Sequence, residues 1–339
     1  MEHSARTIVI GAGVIGLATT HALLRREEDV LCLEASDAPG GIQSRGPGRI
    51  MRNLHRDHDL IDLARVAAGE WRALERELDA ELLGAEGQLI ASPRAEQYAE
   101  LLREHSINCE VLEPGDELPG GFGLAEIPVP LLFDRDAGAI RAERVMAELA
   151  AAAHPAIRLG KAVIEIRRRE AGFELEDVAG HTWRCERLLI AAGAASGSLA
   201  AQLGLEVPQV NEWHLRLAFS GAGERWPCWR DETEEFGAAA YGLRLGSGHY
   251  ALALAGISNP EHHDELAELG KMIVNYAQRA FPGLAPGAGR VVAQVSRLDG
   301  ESSDAFELFE ADGALCLAGG NLFKFVPVIA RQLADELSS

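Results

Sequence analysis

The residues whose spacing could support chemistry begin with a glycine-rich run near the start of the chain. Residues 11–16 read GAGVIG and directly follow a short β-branched segment, TIVI. At such a turn Gly11 permits the tight bend, Gly13 leaves room for a pyrophosphate against the backbone, and Gly16 lets the next helix sit close to the strand. The N–H groups and dipole at that helix start favour an anion. The run therefore predicts a phosphate-binding turn between a strand and a helix.

A carboxylate follows the glycine run at the distance expected for a nucleotide-binding unit. Glu34 ends a second predicted strand, VLCL at 30–33, about 20 residues after the turn. Between them, Val14 to about Arg26 has helical periodicity. A carboxylate in this position can accept hydrogen bonds from ribose hydroxyls, and its charge disfavours a 2′-phosphate. The chain is thus predicted to open with a Rossmann-type βαβ unit for FAD or NAD, and NADP is disfavoured.

Two later segments favour FAD over NAD. Residues 187–193 (RLLIAAG) and 314–320 (ALCLAGG) each read as a buried strand that runs into small residues. A predicted helix from Val326 to Leu337 follows the second segment, with Pro327 in its first turn. Both strands are expected to join the N-terminal sheet and to bring small residues against the ligand.

Composition limits the classes of partner. The 339 residues suggest about two domains. Acidic residues outnumber basic ones by 52 to 32, giving a formal charge of -20, which disfavours nucleic acid and anionic membrane surfaces. No apolar run approaches the ~20 residues of a membrane span, and the polar start does not resemble a signal peptide. Scattered cysteines without a CxxC motif fit reduced thiols in a cytoplasmic protein. We expect a small-molecule substrate and a monomer or small homo-oligomer.

Segments spread over nearly the whole chain carry a family resemblance. Besides GAGVIG and LLIAAG they are GRIMR at 48–52, YGLRLG at 241–246 and GGNLFKF at 319–325. With these motifs in this order, the chain resembles the D-amino-acid oxidase superfamily of flavoproteins, and within it the monomeric sarcosine oxidase branch. The combination of R-I-x-R with F-K-F is much more specific than the glycine run alone.

The resemblance implies an α/β fold in which a Rossmann-type FAD-binding domain is interleaved with a mixed-sheet α+β substrate domain. The predicted FAD-binding domain comprises residues 1–57, 139–204 and 301–339, and the predicted substrate domain comprises residues 58–138 and 205–300. Residues 58–110 read as mainly helical, for instance from Leu60 to Leu83, and strands are expected at Trp213–Phe219 and His249–Leu254.

The same resemblance nominates residues for the cofactor. FAD is expected to be bound without a covalent link, because the tethering cysteine of the sarcosine oxidase branch falls near Ser296 in this chain. Cys316 is expected to be a small core residue. The candidate cofactor-binding residues are Gly11, Gly13, Val14, Ile15, Gly16, Glu34, Ala35, Arg49, Val163, Ala192, Gly193, Gly319, Gly320, Asn321, Leu322, Phe323 and Lys324.

The candidate catalytic residues are the four cations Lys324, Arg244, Arg52 and Arg49. In the resembled family, the residues matching Arg52 and Lys324 help to hold the substrate carboxylate, a task that suits a guanidinium. Lys324 stands between two phenylalanines just before a helix, where a cation is disfavoured unless an anion is near. Otherwise its amine reaches water past the aromatic rings. Without the resemblance, Arg49 and Arg52 would read as surface residues.

Arg244 departs from the family pattern. The related oxidases have a lysine there that promotes the reaction of reduced flavin with oxygen, and arginine retains the charge but not the compact ammonium group. Involvement in the oxygen reaction and an outward-facing position on an alternating strand are equally open for this residue. His214 could line the substrate pocket, but a core histidine with satisfied hydrogen bonds is the favoured interpretation. His262 and His263 lack the spacing of a metal site, so no metal is expected.

The leading functional hypothesis is FAD-dependent oxidation of the C–N bond of an amino acid, including secondary and cyclic amino acids. Hydride equivalents would pass to flavin N5 and leave an imine, with O2 favoured as the electron acceptor. One alternative is a flavin dehydrogenase with another acceptor, which Arg244 motivates. Another is a flavin-binding subunit without its own substrate chemistry, which a short loop before Lys324 motivates. An NAD-dependent dehydrogenase would leave the later FAD-like segments unexplained.

Overall fold

The computed structural model describes residues 2–237, 239–246, 248–254 and 263–339. The chain forms two compact units, each built from separate stretches of sequence. Unit 1 comprises Met1–Arg45, Glu143–Asn211 and Gln294–Ser339, and unit 2 comprises Gly46–Ala142 and Glu212–Ala293. None of the helices within the described ranges combines the length and the apolarity needed to cross a membrane.

The helices of the described ranges are, in chain order, α1 (Val14–Leu24), α2 (His58–Leu78), α3 (Ala95–Glu104), α4 (Ala142–Ala152), α5 (Ser196–Ala201), α6 (His263–Ala280) and α7 (Val326–Ser338). The strands are β1 (Glu2–Ser4), β2 (Thr7–Ile10), β3 (Val30–Leu33), β4 (Arg49–Met51), β5 (Gln88–Ala91), β6 (Cys109–Leu112), β7 (Leu131–Asp134), β8 (Gly138–Ile140), β9 (Ile157–Arg158), β10 (Val163–Arg169), β11 (Gly172–Asp177), β12 (Thr182–Cys185), β13 (Arg187–Ile190), β14 (Gln209–Ser220), β15 (Cys228–Asp231), β16 (Ala240–Gly246), β17 (His249–Leu254), β18 (Ala285–Leu298), β19 (Phe306–Ala311) and β20 (Ala314–Gly319).

Unit 1 is organised around a six-stranded sheet with the order β19-β20-β13-β2-β3-β9. β2 pairs in parallel with β13 on one side and with β3 on the other, and β20 and β9 extend the parallel array. Every residue of β2 is buried, which explains why its sequence is a β-branched run rather than an alternating pattern. The predicted return of segments 187–193 and 314–320 to the N-terminal sheet is confirmed.

Two helices of unit 1 pack against each other next to this sheet. α1 follows β2 directly and contacts α7. α1 is apolar over most of its surface, with Val14, Leu17 and Leu23 among its buried residues, as expected for a helix covered on several sides. α7 has Pro327 in its first turn, as predicted.

Unit 1 also contains a four-stranded sheet with the order β1-β12-β11-β10. Its edge strand β1 pairs in parallel with β12, although the polar residues 1–6 gave no sign of a strand. The His3 ring stacks on the Trp183 ring with their centroids 4.6 Å apart. Backbone pairing and the stacking of His3 on Trp183 therefore hold a strand that has no apolar pattern.

Unit 2 contains most of an eight-stranded mixed sheet with the order β18-β14-β17-β16-β15-β5-β7-β6. One face of this sheet and α6 enclose an aromatic core that includes Trp229, Tyr250, Tyr276 and Phe281. The buried Trp229 indole N–H donates to the Tyr276 hydroxyl at 2.7 Å, and that hydroxyl donates to Asp231 at 2.9 Å. The polar atoms in this core are thus hydrogen-bonded, as burial requires. The strands predicted at 213–219 and 249–254 are confirmed as parts of β14 and β17.

Residues 46–57 belong to unit 2, whereas the sequence-based boundaries placed them in the FAD-binding domain. β4 pairs with β8, and Asn53 donates from its backbone N and from Nδ2 to the buried carboxylate of Asp134, at 3.3 and 3.0 Å. These bonds attach the segment to unit 2. The other boundaries fall at 142/143, 211/212 and 293/294 instead of the predicted 138/139, 204/205 and 300/301.

The region 58–110 is less helical than predicted. α2 ends at Leu78, because Asp79 adopts a left-handed conformation with φ of 48°, so the helix stops before the predicted Leu83. β5 and β6 then enter the sheet of unit 2. β5 is buried along its whole length, and a short apolar run of this kind cannot be told from helix by periodicity.

Gly16→Ala is expected to destabilise the protein, whereas Gly69→Ala is expected to be neutral or stabilising. A β-carbon at Gly16 would lie 1.9 Å from the carbonyl oxygen of Gly11, so the backbone must shift, at a cost of about 1–3 kcal/mol. Gly69 lies on α2, where a β-carbon meets nothing within 4 Å and alanine favours the helix by about 1 kcal/mol. Thermal unfolding of both variants beside the wild type measures the difference. Wild-type stability of Gly16→Ala would contradict this close packing.

The Asp134→Asn variant is expected to gain stability relative to the wild type as the pH rises. Burial raises the pKa of Asp134 to about 6, above the ordinary value of about 3.9, so the folded protein keeps this proton to a higher pH than the unfolded chain does. Its stabilising contribution is complete below pH of about 4 and is lost as the pH rises through 6. Between pH 5 and pH 8, urea unfolding should show Asp134→Asn gaining about 1.4 kcal/mol on the wild type. Asp37→Asn, at an exposed position, is the control variant. A difference between Asp134→Asn and the wild type that stays constant from pH 5 to pH 8 would contradict the prediction.

Candidate functional site

The glycine turn of residues 11–16 brings the ends of two strands close together. Gly11 has a φ of +101°, a conformation that glycine adopts readily, and its N–H donates to the carbonyl oxygen of Leu33 at 2.8 Å. A β-carbon at Gly11 would lie 2.6 Å from the carbonyl oxygen of Ala191. The ends of β2 and β13 can therefore approach this closely only because residue 11 has no side chain.

Glu34 is buried and holds this turn through its carboxylate. Its Oε2 accepts a hydrogen bond from the N–H of Ala12 at 2.7 Å, and its Oε1 accepts one from the N–H of Ser36 at 2.9 Å. An ionised carboxylate has about four lone-pair sites, so Glu34 retains capacity for the hydroxyls of a ribose. The predicted ligand-binding acid thus also positions the phosphate-binding turn.

Ser44 is a site residue that the sequence does not signal. Its Oγ accepts a hydrogen bond from the N–H of Val14 at 2.9 Å, at the first residue of α1. A β-carbon at Gly13 would lie 3.3 Å from this Oγ. A buried hydroxyl, which can both donate and accept, is therefore held beside the phosphate-binding turn.

The predicted cofactor residues of unit 1 meet at one edge of its six-stranded sheet. Gly11, Glu34, Gly193 and Gly319 lie at or just after the carboxyl ends of β2, β3, β13 and β20, which run parallel. Ligands of open α/β sheets bind at such an edge, where the chain leaves a strand on both sides. The N-terminus of α1 leaves its first N–H groups without partners inside the helix. The turn, this helix end and the buried acid fit the pyrophosphate and ribose of FAD.

The remaining predicted cofactor residues of unit 1 lie around this edge or beside it. Val14 and Ile15 form the buried first turn of α1, and Ala35 is exposed directly after Glu34. Val163 begins β10 and packs against the core of the unit. Gly320 follows β20, and Asn321, Leu322, Phe323 and Lys324 form a 3₁₀ turn and the residue before it.

Lys324 is buried, with 3% of its surface exposed. Its Nζ donates to Oδ1 of Asp304 at 3.0 Å and to the carbonyl oxygen of Asn321 at 2.9 Å, and it lies 4.7 Å from the ring centroid of Phe325. The interpretation in which its amine reaches water past the aromatic rings is therefore wrong. The expected anion is present within unit 1 as Asp304, a residue that the sequence does not signal. Contact of Lys324 with a substrate carboxylate stays a prediction.

Arg49 shares an acceptor with a second arginine of unit 2. Nη1 of Arg49 and Nη1 of Arg216 both donate to the carbonyl oxygen of Gly48, at 2.8 and 3.0 Å. Burial, and then the charge of Arg216, lower the pKa of Arg49 to about 9, so it remains charged at neutral pH. The sequence did not indicate Arg216, because it lies on β14, far along the chain from Gly48.

Tyr241 and His214 complete this cluster of unit 2. The guanidinium carbon of Arg216 lies 5.7 Å from the ring centroid of Tyr241, and Nδ1 of His214 lies 3.4 Å from the Tyr241 hydroxyl. Nε2 of His214 lies 3.6 Å from Oε2 of Glu212. Burial, and then the charge of Arg216, lower the pKa of His214, so the imidazole is neutral at neutral pH. His214 is half-buried beside charged residues rather than enclosed in an apolar core.

The structure does not bring Arg244 into this cluster. On β16 successive side chains point to opposite faces, and Leu243 is directed at Gly48, where an added β-carbon would lie 2.6 Å from Leu243 Cδ1. Arg244 pairs with Tyr250 of the aromatic core and lies on the other face. Arg52, one residue beyond β4, donates to the carbonyl oxygen of Leu54 at 3.4 Å.

Ser296 and Cys316, the positions relevant to a covalent link with the flavin, are both buried. Ser296 is buried, and its hydroxyl donates to Oδ1 of Asn211 at 2.9 Å. Cys316 is buried in β20, and burial raises the pKa of its thiol to about 12, so the prediction of a small core residue is confirmed. The described residues contain no group of three or more metal-binding side chains. His262 lies outside the described residues, and the side chain of His263 is not described.

The chain matches the family model for FAD dependent oxidoreductases (DAO) across residues 6–336. It belongs to this family. The cofactor of the family is FAD, which the glycine turn, the N-terminus of α1 and Glu34 fit. The resemblance drawn from GAGVIG, GRIMR and GGNLFKF is thereby confirmed.

Individual relatives share part of the sequence or the whole fold. Monomeric sarcosine oxidase from Bacillus sp. (strain B-0618) is 26% identical over 213 residues, which are 59% of this chain and 54% of that protein. The match thus spans about half the length of that relative. The solved structure of NikD, an unusual amino acid oxidase essential for nikkomycin biosynthesis, has a TM-score of 0.84 and 20% identity, covering 99% of this chain and 94% of its own. L-proline dehydrogenase from P. horikoshii has a TM-score of 0.84 and 15% identity, covering 99% and 93%. At these identities the solved structures show the shared fold.

Asp304→Asn and Lys324→Met are each expected to destabilise the protein, and their effects are expected not to add. Removing one partner of a buried ion pair leaves a buried charge uncompensated, at a cost of about 3 kcal/mol, whereas removing both leaves none. A double-mutant cycle by urea unfolding should give a coupling free energy of about 1–3 kcal/mol.

The exposed pair Lys271 and Glu268, 3.1 Å apart on α6, is the matched control for this cycle. Its coupling free energy should stay below about 0.5 kcal/mol. Additive effects of the Asp304 and Lys324 variants would contradict a buried, coupled pair.

Proposed function

We propose that this protein oxidises the C–N bond of an amino acid, including secondary or cyclic amino acids, with FAD as the cofactor. The family match and the phosphate-binding turn of unit 1 support this proposal. The relatives named as sarcosine oxidase and as an amino acid oxidase support a substrate that carries both an amine and a carboxylate. The single observation on which the proposal rests is a complete Rossmann turn, with its glycines, helix start and buried acid, in a chain of this family.

The residues of unit 1 hold the cofactor. The backbone around Gly11 and Gly13 and the start of α1 receive the pyrophosphate, and Glu34 receives the ribose hydroxyls. Binding is proposed to be non-covalent, because the tethering cysteine of the sarcosine oxidase branch falls near Ser296 in this chain and Cys316 is buried in the sheet. When bound, FAD takes up the hydride equivalents that leave the carbon bearing the nitrogen.

The residues around the substrate orient it and neutralise its carboxylate. Arg49 and Arg52 of the GRIMR segment and Lys324 of the GGNLFKF segment are proposed to contribute positive charge. A substrate amine bound in its neutral form can release hydride from the adjacent carbon without a protein base, and the substrate is left as an imine. The imine then hydrolyses or, if cyclic, persists. Orientation and exclusion of water are thus the main tasks of the protein.

Oxygen is proposed as the electron acceptor, and a dehydrogenase with another acceptor is the second candidate. Arg244 favours the second, because it replaces the lysine expected in the oxidases. The fold itself accommodates both classes, since solved structures named as an oxidase and as a dehydrogenase resemble it equally well. Oxygen consumption that matches substrate turnover would support the oxidase and argue against the dehydrogenase.

The purified protein is expected to be yellow, to release its flavin on acid precipitation, and to be bleached anaerobically by an amino or imino acid. Visible spectra before and after trichloroacetic acid, followed by an anaerobic screen of amino and imino acids, measure all three. Flavin retained in the precipitate would contradict non-covalent binding. A flavin that no amine or amino acid bleaches would favour a flavin-binding subunit without its own chemistry, and a colourless protein that FAD cannot reconstitute would contradict the whole proposal.

A further inference from the structure

Arg216 is a half-buried cation of unit 2, and none of the residues that the structure describes pairs a carboxylate with it. Its Nη1 donates to the carbonyl oxygen of Gly48 at 3.0 Å, but among the described residues no Asp or Glu oxygen lies within 4.0 Å of its guanidinium. Its Nε is buried and has no hydrogen-bond partner there. A buried charge without an opposite charge is costly. Arg216 is therefore arranged for an anion that comes from outside the chain.

The surroundings of Arg216 strengthen this demand for negative charge. Arg49 donates to the same carbonyl oxygen of Gly48, so two guanidinium groups lie close together. His214 is neutral at neutral pH and therefore adds no charge, while Glu212 lies 3.6 Å from His214 and contributes one negative charge. Arg49 and Arg216 thus bring two positive charges together, and Glu212 contributes one negative charge.

The edge of the Arg216 guanidinium formed by Nε and Nη2 matches a carboxylate in shape. Because Nη1 already donates to Gly48, Nε and Nη2 remain as a pair of parallel N–H donors on the adjacent edge. Two parallel donors of this kind bind both oxygens of one carboxylate. The ring of Tyr241, 5.7 Å from the guanidinium carbon, and the bond to Gly48 together fix the plane of the fork.

We propose that Arg216, held in place by Gly48 and Tyr241, binds the carboxylate of the substrate through its Nε and Nη2 edge and selects amino acids over simple amines. The inference rests on the proposed amino-acid oxidation and names a residue of that site. Lys324, by contrast, already has Asp304 as its counter-ion. Arg216 is therefore the cation whose charge is better available to a ligand carboxylate.

Acetate binding to the flavin-loaded protein tests the proposal without any turnover. The probe is sodium acetate, followed by isothermal titration calorimetry, with acetamide as the uncharged comparison. Arg216→Met should weaken acetate binding at least about tenfold, the loss expected for a charge-assisted bidentate contact. Arg216→Lys, which keeps the charge but loses the fork, should fall between Arg216→Met and the wild type.

The matched control is Arg225→Met, because Arg225 is an exposed arginine of unit 2 outside this cluster. This variant should bind acetate like the wild type. Flavin content and thermal unfolding of each variant show whether it is folded, and Arg216→Lys provides the readout if Arg216→Met is not. Wild-type acetate affinity in a folded Arg216→Met or Arg216→Lys protein would overturn the proposal.

Anaerobic bleaching rates give a second readout that a purely structural role would not produce. For an amino acid that bleaches the flavin, Arg216→Met should raise the apparent dissociation constant and leave the limiting rate nearly unchanged. The preference of this variant for the amino acid over the amine that lacks the carboxylate should fall by the same factor as the affinity for the amino acid. Unchanged preference would overturn the inference and leave the amino-acid oxidation standing. Arg216-dependent acetate binding without bleaching by any amino acid would contradict the oxidation and leave the carboxylate site standing.

Discussion

The close approach of backbone segments at Gly11 is the constraint on which unit 1 depends. The carbonyl oxygen of Ala191 occupies the space that a side chain at Gly11 would need, and the carbonyl oxygen of Gly11 occupies the space that a side chain at Gly16 would need. Because they can come this close, β13 lies beside β2 with its small residues at the same sheet edge, and α1 begins directly after the turn. The N–H groups of that helix start are thereby aimed at one small volume, which is what a pyrophosphate requires. Glu34 and Ser44 then fix the turn through its backbone N–H groups.

The pairing of buried charges distinguishes the cations of the site. Lys324 is almost completely buried, but Asp304 compensates its charge at 3.0 Å. Arg216 and Arg49 instead share a neutral acceptor, the carbonyl oxygen of Gly48. A carbonyl satisfies an N–H group but does not cancel a charge, so the electrostatic cost of Arg216 persists until an anion arrives. The proposed carboxylate site is therefore chosen by the absence of a counter-ion for Arg216 among the described residues.

Sequence reasoning succeeded where the physical cause is local. The glycine turn, β2, β3 and Glu34 follow from residues within one βαβ unit, and the strands around 188 and 315 follow from apolar runs that end in small residues. It failed where the partner is distant: Ser44 contacts Val14 across 30 positions, Lys324 contacts Asp304 across 20, and Arg216 contacts Gly48 across 168. No periodicity reports such contacts. The early boundary at residue 46 has the same origin, because it depends on the pairing of β4 with β8.

Side chains alternate between the two faces of β16, and this places Arg244 on a different face from the residues beside Arg216. Tyr241 and Leu243 share one face of the strand, beside Arg216 and Gly48, whereas Arg244 lies on the opposite face, paired with Tyr250. Arginine in place of lysine at 244 therefore keeps a positive charge on the core side of the sheet, and the proposed carboxylate-binding cluster lies on the other face. If Arg244 influences the reaction with oxygen, it does so from a position that does not contact the proposed carboxylate site. Choice of electron acceptor and recognition of the substrate are then separable by mutation, because the two sets of side chains do not share a face.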